Sequence, residues 1–205
     1  PNAEMIHIDI DPAEIGKNIA NDLPIVGDIK NVLQDILKEM QNGDKEIWKS
    51  DNEHNNISEL PPCTTAPDCR AFSILKDMQD IAPKDAIITT DVGQHQIWTA
   101  KYYKFGTPRT FISSGGLGTM GYGIPAALGA QIAMPGRLVI AVTGDGSFQM
   151  GMPELGTIAE LELPIKILLF NNQTLGMVRQ LQHDYCGARY AGVHFKKGID
   201  FMQLA

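Results

Sequence analysis

Leu138-Val139-Ile140-Ala141-Val142-Thr143-Gly144-Asp145-Gly146 decides how this chain folds. The run from Leu138 to Val142 is apolar without a break, as in a strand covered on both faces of a parallel sheet. It ends at a glycine-acid-glycine turn. A second run, Ile165 to Phe170, ends at Asn171-Asn172, and the segment between them has the length of one helix. Strand, helix and strand in that order form a parallel crossover, which brings the two run ends together at one edge of the sheet. An open α/β sheet takes its ligands at that edge. A carboxylate and an amide oxygen there are hard donors of the kind Mg²⁺ accepts while it grips a diphosphate. Each motif alone reads as a turn; their shared position after buried-type strands points to a phosphorylated ligand.

Outward from this unit the same pattern repeats. Phe72, Leu75, Met78 and Ile81 predict a helix over 68–82. Ala86 to Thr90 predicts a strand ending at Asp91-Val92-Gly93. Thr110 to Ser113 predicts another, which feeds a glycine-rich loop and a helix from Ile124 to Ala133. Strands alternating with helices predict an α/β fold with a doubly wound parallel sheet. The N-terminal stretch reads as the tail of a second α/β domain. Met5 to Ile10 and Pro24 to Val26 predict strands. Asp11-Pro12-Ala13-Glu14 predicts a capped helix start. A further helix presents Ile29, Val32, Leu33, Ile36, Leu37 and Met40 on one face and stops at Gly43. The expected organisation is 1–43 for the end of the first domain, 44–66 for a polar, then Pro-rich linker, and 67–205 for a second domain cut short at its C-terminus.

Composition narrows the partners. The chain has 205 residues, 43% hydrophobic, with a formal net charge of −7. A core is therefore affordable in apolar content, and neither nucleic acid nor an anionic membrane surface is an expected partner. No apolar run is long enough to span a bilayer. The opening Pro-Asn-Ala-Glu shows neither an initiator Met nor a signal peptide, so the chain reads as a piece of a longer polypeptide. Cys63, Cys69 and Cys186 are read as three free thiols, consistent with a cytoplasmic protein.

Four further motifs carry a resemblance. Gly93-Gln94-His95-Gln96, the loop Ser113 to Gly123, Gly144-Asp145-Gly146-Ser147-Phe148-Gln149-Met150, and Asn171-Asn172-Gln173 with Leu175-Gly176-Met177-Val178 together resemble thiamine diphosphate-dependent enzymes. Within that group they look like the catalytic subunit of the acetolactate synthase (acetohydroxyacid synthase) family. The resemblance covers the end of that family's central, FAD-binding domain and most of its C-terminal domain.

The resemblance implies roles for residues. Asp145 and Asn172 would bind Mg²⁺ by side chain, and Thr174 by its backbone oxygen. Gly93, Gln94, His95, Gly118, Gly146, Ser147, Leu175 and Gly176 would surround the cofactor, chiefly its diphosphate. Met120 would sit under the thiazolium and Met177 beside the aminopyrimidine. Asp9 and Asp28 would contact FAD, which the family uses structurally. Against these stand simpler readings: core packing for the methionines, a capping or core role for His95, a helix cap for Asp28 and solvation for Asp9. Leu181 stands where the family commonly has Trp, which implies an acceptor preference moved toward pyruvate.

The implied reaction joins pyruvate, after loss of CO₂, to a second 2-keto acid, giving 2-acetolactate or 2-aceto-2-hydroxybutyrate for branched-chain amino-acid biosynthesis. A homodimer or homotetramer with a regulatory subunit is implied. The family's activating Glu belongs to an N-terminal domain outside this sequence, so no catalytic residue is assigned here and the chain alone is expected to be inactive. Two alternatives stay open: another thiamine enzyme, such as a pyruvate oxidase or 2-keto acid decarboxylase, and a non-catalytic phosphate-binding module.

Overall fold

The computed structural model describes residues 4–40 and 67–204, with 67–69 described by backbone alone. The chain divides into two compact units, Pro1–Leu60 and Pro61–Ala205. The expected linker and the helix stop at Gly43 lie outside the described residues.

In the first unit, β1 (Ile6–Asp9) pairs in parallel with β2 (Leu23–Val26), with Asp9 opposite Val26. The helix expected after Asp11 does not form; residues 12–16 are turns. The acids there compete with helical bonding. Asp9 Oδ1 accepts the Asp11 N–H at 2.8 Å, and Asp11 Oδ1 accepts the Ala13 N–H at 2.8 Å. Gly16 then takes φ 73°, outside helical space. Glu14, expected to close a capping box, pairs instead with Lys17. α1 (Ile29–Met40) is real, and Asp28 caps it: its Oδ1 accepts from Lys30 N and Asn31 N.

The second unit is built on a four-stranded, all-parallel sheet in the order β4-β3-β5-β6. The strands are β3 (Ile87–Thr90), β4 (Phe111–Ser113), β5 (Val139–Gly144) and β6 (Lys166–Phe170). The helices are α2 (Pro67–Ile81), α3 (Gln94–Tyr102), α4 (Gly123–Ala133), α5 (Asp145–Gly151), α6 (Glu154–Glu160), α7 (Gly176–Tyr185) and α8 (Phe201–Leu204).

Every residue of β3 and β5 is buried, the threonines Thr89, Thr90 and Thr143 included. Alternate residues serve opposite faces. Ile87, Val139 and Ala141 pack on Ala127 and Ala130 of α4, with Ile112, Ile165 and Ile167 around them. On the other face α3 turns His95, Trp98, Thr99 and Tyr102 inward, at helical spacing. Trp98 meets Phe170 with ring centroids 5.6 Å apart, and Tyr102 meets Phe72 of α2 edge-on at 5.5 Å. Helices therefore cover both faces. The chain leaves β3 for β4 on one side and later returns to lay β5 on the other. The gap between the ends of β3 and β5 is thus the topological switch point, where such sheets take ligands.

Candidate functional site

A pocket of about 430 Å³ opens at this switch point. The ends of three strands feed it: Val92-Gly93 after β3, Gly144 and Asp145 at the end of β5, and Asn172 to Gly176 after β6. The register explains the convergence. Gly144 pairs with Phe170, so β5 and β6 finish level, and Thr90 pairs with Val142, so the turn after β3 starts two residues short of the end of β5.

The helices that start here lack side-chain caps. Gly93 precedes α3 and Leu175 precedes α7, and neither makes a side-chain cap hydrogen bond. Their first N–H groups are left for a ligand, and the positive ends of two helix dipoles favour an anion. Gly93 has φ 155° and ψ −167°, a region open in practice only to glycine. A Cβ on it would strike the His95 ring at 2.7 Å, and one on Gly144 would meet the same ring at 2.9 Å. His95 is thus clasped between the ends of two strands. Burial lowers its pKa to about 4, with Asp91 opposing that shift, so the imidazole is neutral near pH 7. Its Nε2 is buried without a hydrogen-bond partner.

Asp145 is 3% exposed. Its Oδ1 accepts the Gly146 N–H at 2.9 Å, while Oδ2 is buried and unpartnered. Burial raises its pKa, and the N–H dipoles of Gly146, Gln173 and Thr174 act in the opposite direction. A buried carboxylate oxygen without a partner is a costly arrangement that a cation would relieve. Asn172, after the neighbouring β6, also lines the pocket, and its Oδ1 accepts the Thr174 N–H at 3.2 Å. Asn171 lines a neighbouring cavity instead, so only the second asparagine of the pair reaches this pocket. Among the described residues no three His, Cys, Asp or Glu side chains cluster as a metal cage. The donors present are one carboxylate, one amide and backbone oxygens, which fits an ion that shares its shell with phosphate.

The structure brings together most of the residues singled out in the sequence. Gly93, Gln94, His95, Met120, Asp145, Gly146, Ser147, Asn172, Thr174, Leu175, Gly176 and Met177 all line the pocket. Gly118 does not; it sits at φ 66° in a turn, with its N–H bonded to Ser114 O. Leu181 is half exposed on α7 and outside the lining, one helical turn from Met177. Asp9 and Asp28 belong to the first unit, at the carboxyl ends of β1 and β2. Sequence reading assigned nothing to Trp98, Phe170 or Val178, which also line the pocket, nor to Asp91 beneath it. Trp98 carried a signal in being three residues from His95, on the same face of α3.

Comparison with known proteins agrees with this geometry. The C-terminal TPP binding domain of thiamine pyrophosphate enzymes matches residues 91–205. The chain belongs to the thiamine pyrophosphate enzyme family. The central domain of the same enzymes matches residues 1–36. The family's cofactor-binding domain therefore contains every strand end that builds the pocket. The chain is 46% identical over its full length to the probable acetolactate synthase large subunit of Methanococcus aeolicus, covering 37% of that protein. It is 47% identical to that of Methanocaldococcus jannaschii and 47% identical to the acetolactate synthase large subunit of Cyanidium caldarium, covering 36% of each. The chain thus spans a little over a third of the length of the curated relatives it matches. Among the described residues no helix is long and apolar enough to cross a membrane.

Proposed function

We propose that this chain is part of an acetolactate synthase, an enzyme that decarboxylates pyruvate and condenses the remaining two-carbon unit with a second 2-keto acid. The observation that carries the reading is the buried, unpartnered Asp145 Oδ2 in a residue that shares with Asn172 a pocket walled by uncapped helix starts. In this reading Asp145, Asn172 and the Thr174 carbonyl hold Mg²⁺. The N–H groups of Gly93, Gln94, His95, Gly146 and Ser147 receive the diphosphate, with Leu175 and Gly176 closing over it. Met120 and Met177 flank the rings. Thiamine diphosphate held there would supply a nucleophilic carbon and an electron sink for the decarboxylation. The chain's own residues bind and orient: the neutral His95 offers a hydrogen bond without adding a charge, and the Trp98 and Phe170 rings give the lining an apolar side.

Residues 1–43 are read as the end of the central domain, 44–66 as a linker and 67–205 as the cofactor domain. FAD belongs to the complete protein, with Asp9 and Asp28 at the strand edge where ribityl hydroxyls are met; Asp28 Oδ1 already serves as a helix cap. Because relatives are named large subunits, a regulatory partner is part of the reading, as are a homodimer or homotetramer and a cytoplasmic location.

The test is product analysis of the complete protein with pyruvate, thiamine diphosphate and Mg²⁺. Acetolactate supports the reading; acetyl phosphate or acetaldehyde in its place replaces it with an oxidase or a decarboxylase. Asp145→Ala should weaken Mg²⁺-dependent cofactor binding on the order of 100-fold, and unchanged binding would remove Asp145 from the metal site. Leu181→Trp should move the acceptor preference toward 2-ketobutyrate in a competition assay; an unchanged product ratio would end that role for position 181.

A further inference from the structure

We propose that Asp91 is a positioning residue for the thiamine ring: its buried carboxylate anchors the glycine-rich loop that carries Met120. The inference rests on the thiamine diphosphate reading given above.

Asp91 is fully buried, directly after β3. It does not line the pocket, although Val92 and Gly93 beside it do. Its acceptor capacity is turned onto backbone. Oδ1 accepts the Val92 N–H at 2.9 Å and the Gly121 N–H at 2.8 Å. Oδ2 accepts the Gly123 N–H at 3.0 Å. A carboxylate pays heavily for full burial unless it is met by donors in this way. Two of the three donors lie across the sheet from it, thirty residues and more along the chain. They bracket the turn that follows Met120.

The loop is fitted to this anchor. Gly121 takes φ 88°, a conformation costly for any side chain with a Cβ. A Cβ on Gly123 would meet the Asp91 N atom at 2.7 Å, so the two backbones touch. A second tether holds the same point, since the Thr89 hydroxyl donates to Gly123 O at 2.8 Å. Met120 is the loop's contribution to the pocket wall. On the diphosphate side, Gly93 to His95 touch this anchor through the Val92 N–H and the Asp91 backbone, a contact that keeping an oxygen at Oδ1 preserves, while Asp145 to Ser147 stand on α5 and Asn172 to Leu175 lead into α7. Loosening the loop should therefore disturb the ring end of the ligand and spare its tail.

Asp91→Asn makes the distinction. The amide oxygen can keep the Val92 and Gly121 bonds, but the amide nitrogen must then face the Gly123 N–H, donor against donor. The complete enzyme, stripped of cofactor, is titrated calorimetrically with thiamine diphosphate and, separately, with inorganic diphosphate, each with Mg²⁺. Asp91→Asn should weaken thiamine diphosphate about tenfold or more and leave inorganic diphosphate within about twofold. Met120→Ala should show the same asymmetry, and the double variant should be no weaker than the worse single one. Equal weakening of both ligands marks a general structural role and overturns the inference, as does no weakening of either. If Asp91→Asn does not fold, Thr89→Val cuts the second tether without touching the charge. It should show the asymmetry at about threefold, and equal effects on both ligands overturn the inference there too. An unsubstituted enzyme that binds diphosphate but not its thiamine ester would instead overturn the cofactor reading itself.

Discussion

The two units of this chain follow one pattern, parallel strands and helices, with opposite outcomes. In the second unit β3 and β5 are wholly buried, and Leu75, Ile88, Val139 and Val142 have essentially no exposure. Among residues 4–40 none is buried. Leu33, Leu37 and Met40 of α1 stand 48%, 59% and 55% exposed. Both units have the right local periodicity. The difference is that the second has enough strands to support helices on both faces, whereas the described residues of the first supply one parallel strand pair and one helix, which enclose no interior among themselves. Periodicity sets which face is apolar; a core needs a second surface to meet it.

That contrast can be attacked where it is steepest. Leu75→Ala in the second unit should cost about 2–5 kcal/mol, read from the denaturant midpoint of the 205-residue chain. A shift below about 1 kcal/mol would mean that α2 is not packed as described. The next largest effect lies at the strand ends. The His95 imidazole titrates near 6.5 when unfolded and at about 4 when folded. The folded state therefore binds fewer protons than the unfolded state between those values, and its stability falls as pH drops from about 6.5 to about 4. At the acid end the loss attributable to His95 is about 3 kcal/mol. A His95→Gln variant should lack this component, so the stability difference between the two proteins should change across that window and be flat above pH 7. A constant difference from pH 7.5 to 4 would show that His95 is not buried neutral. The smallest effect belongs to the first unit. Leu37→Ser should alter the midpoint of this chain by no more than about 0.5 kcal/mol. A shift as large as that of Leu75→Ala would show that the α1 face is covered in solution, and the contrast between the units would fall.

Much of this was legible in the sequence, for a physical reason. Parallel strands covered on both faces are mostly apolar, so Leu138 to Val142, and Ile165 to Phe170 despite Lys166, announced β5 and β6. The turns after them had to be polar or glycine, so Asp145 and Asn172 stood out. Strand bounds moved by a residue or so, as expected where helices and strands fray. The expected helix at Asp11 failed because its cues, an acid, a proline and a second acid, also make Asx turns. Nothing local says which of the two will win; Gly16, four residues beyond Pro12, favours the turns.

The sequence by itself determined the order of the strands along the chain, the parallel sheet, and the residue types waiting at its carboxyl edge, because these depend on periodicity and backbone sterics within a few residues; it did not show that the single helix expected between β5 and β6 is two, α5 and α6. Tertiary structure alone decided that Asn172 and not Asn171 enters the pocket, that Gly118 stays out of it, and that Trp98 and Phe170 meet in its lining. It alone showed the task of Asp91, whose Gly121 and Gly123 partners lie 30 and 32 residues away in sequence. Hydrogen-bond donors that meet only when strands pair leave no trace in the spacing of residues along the chain.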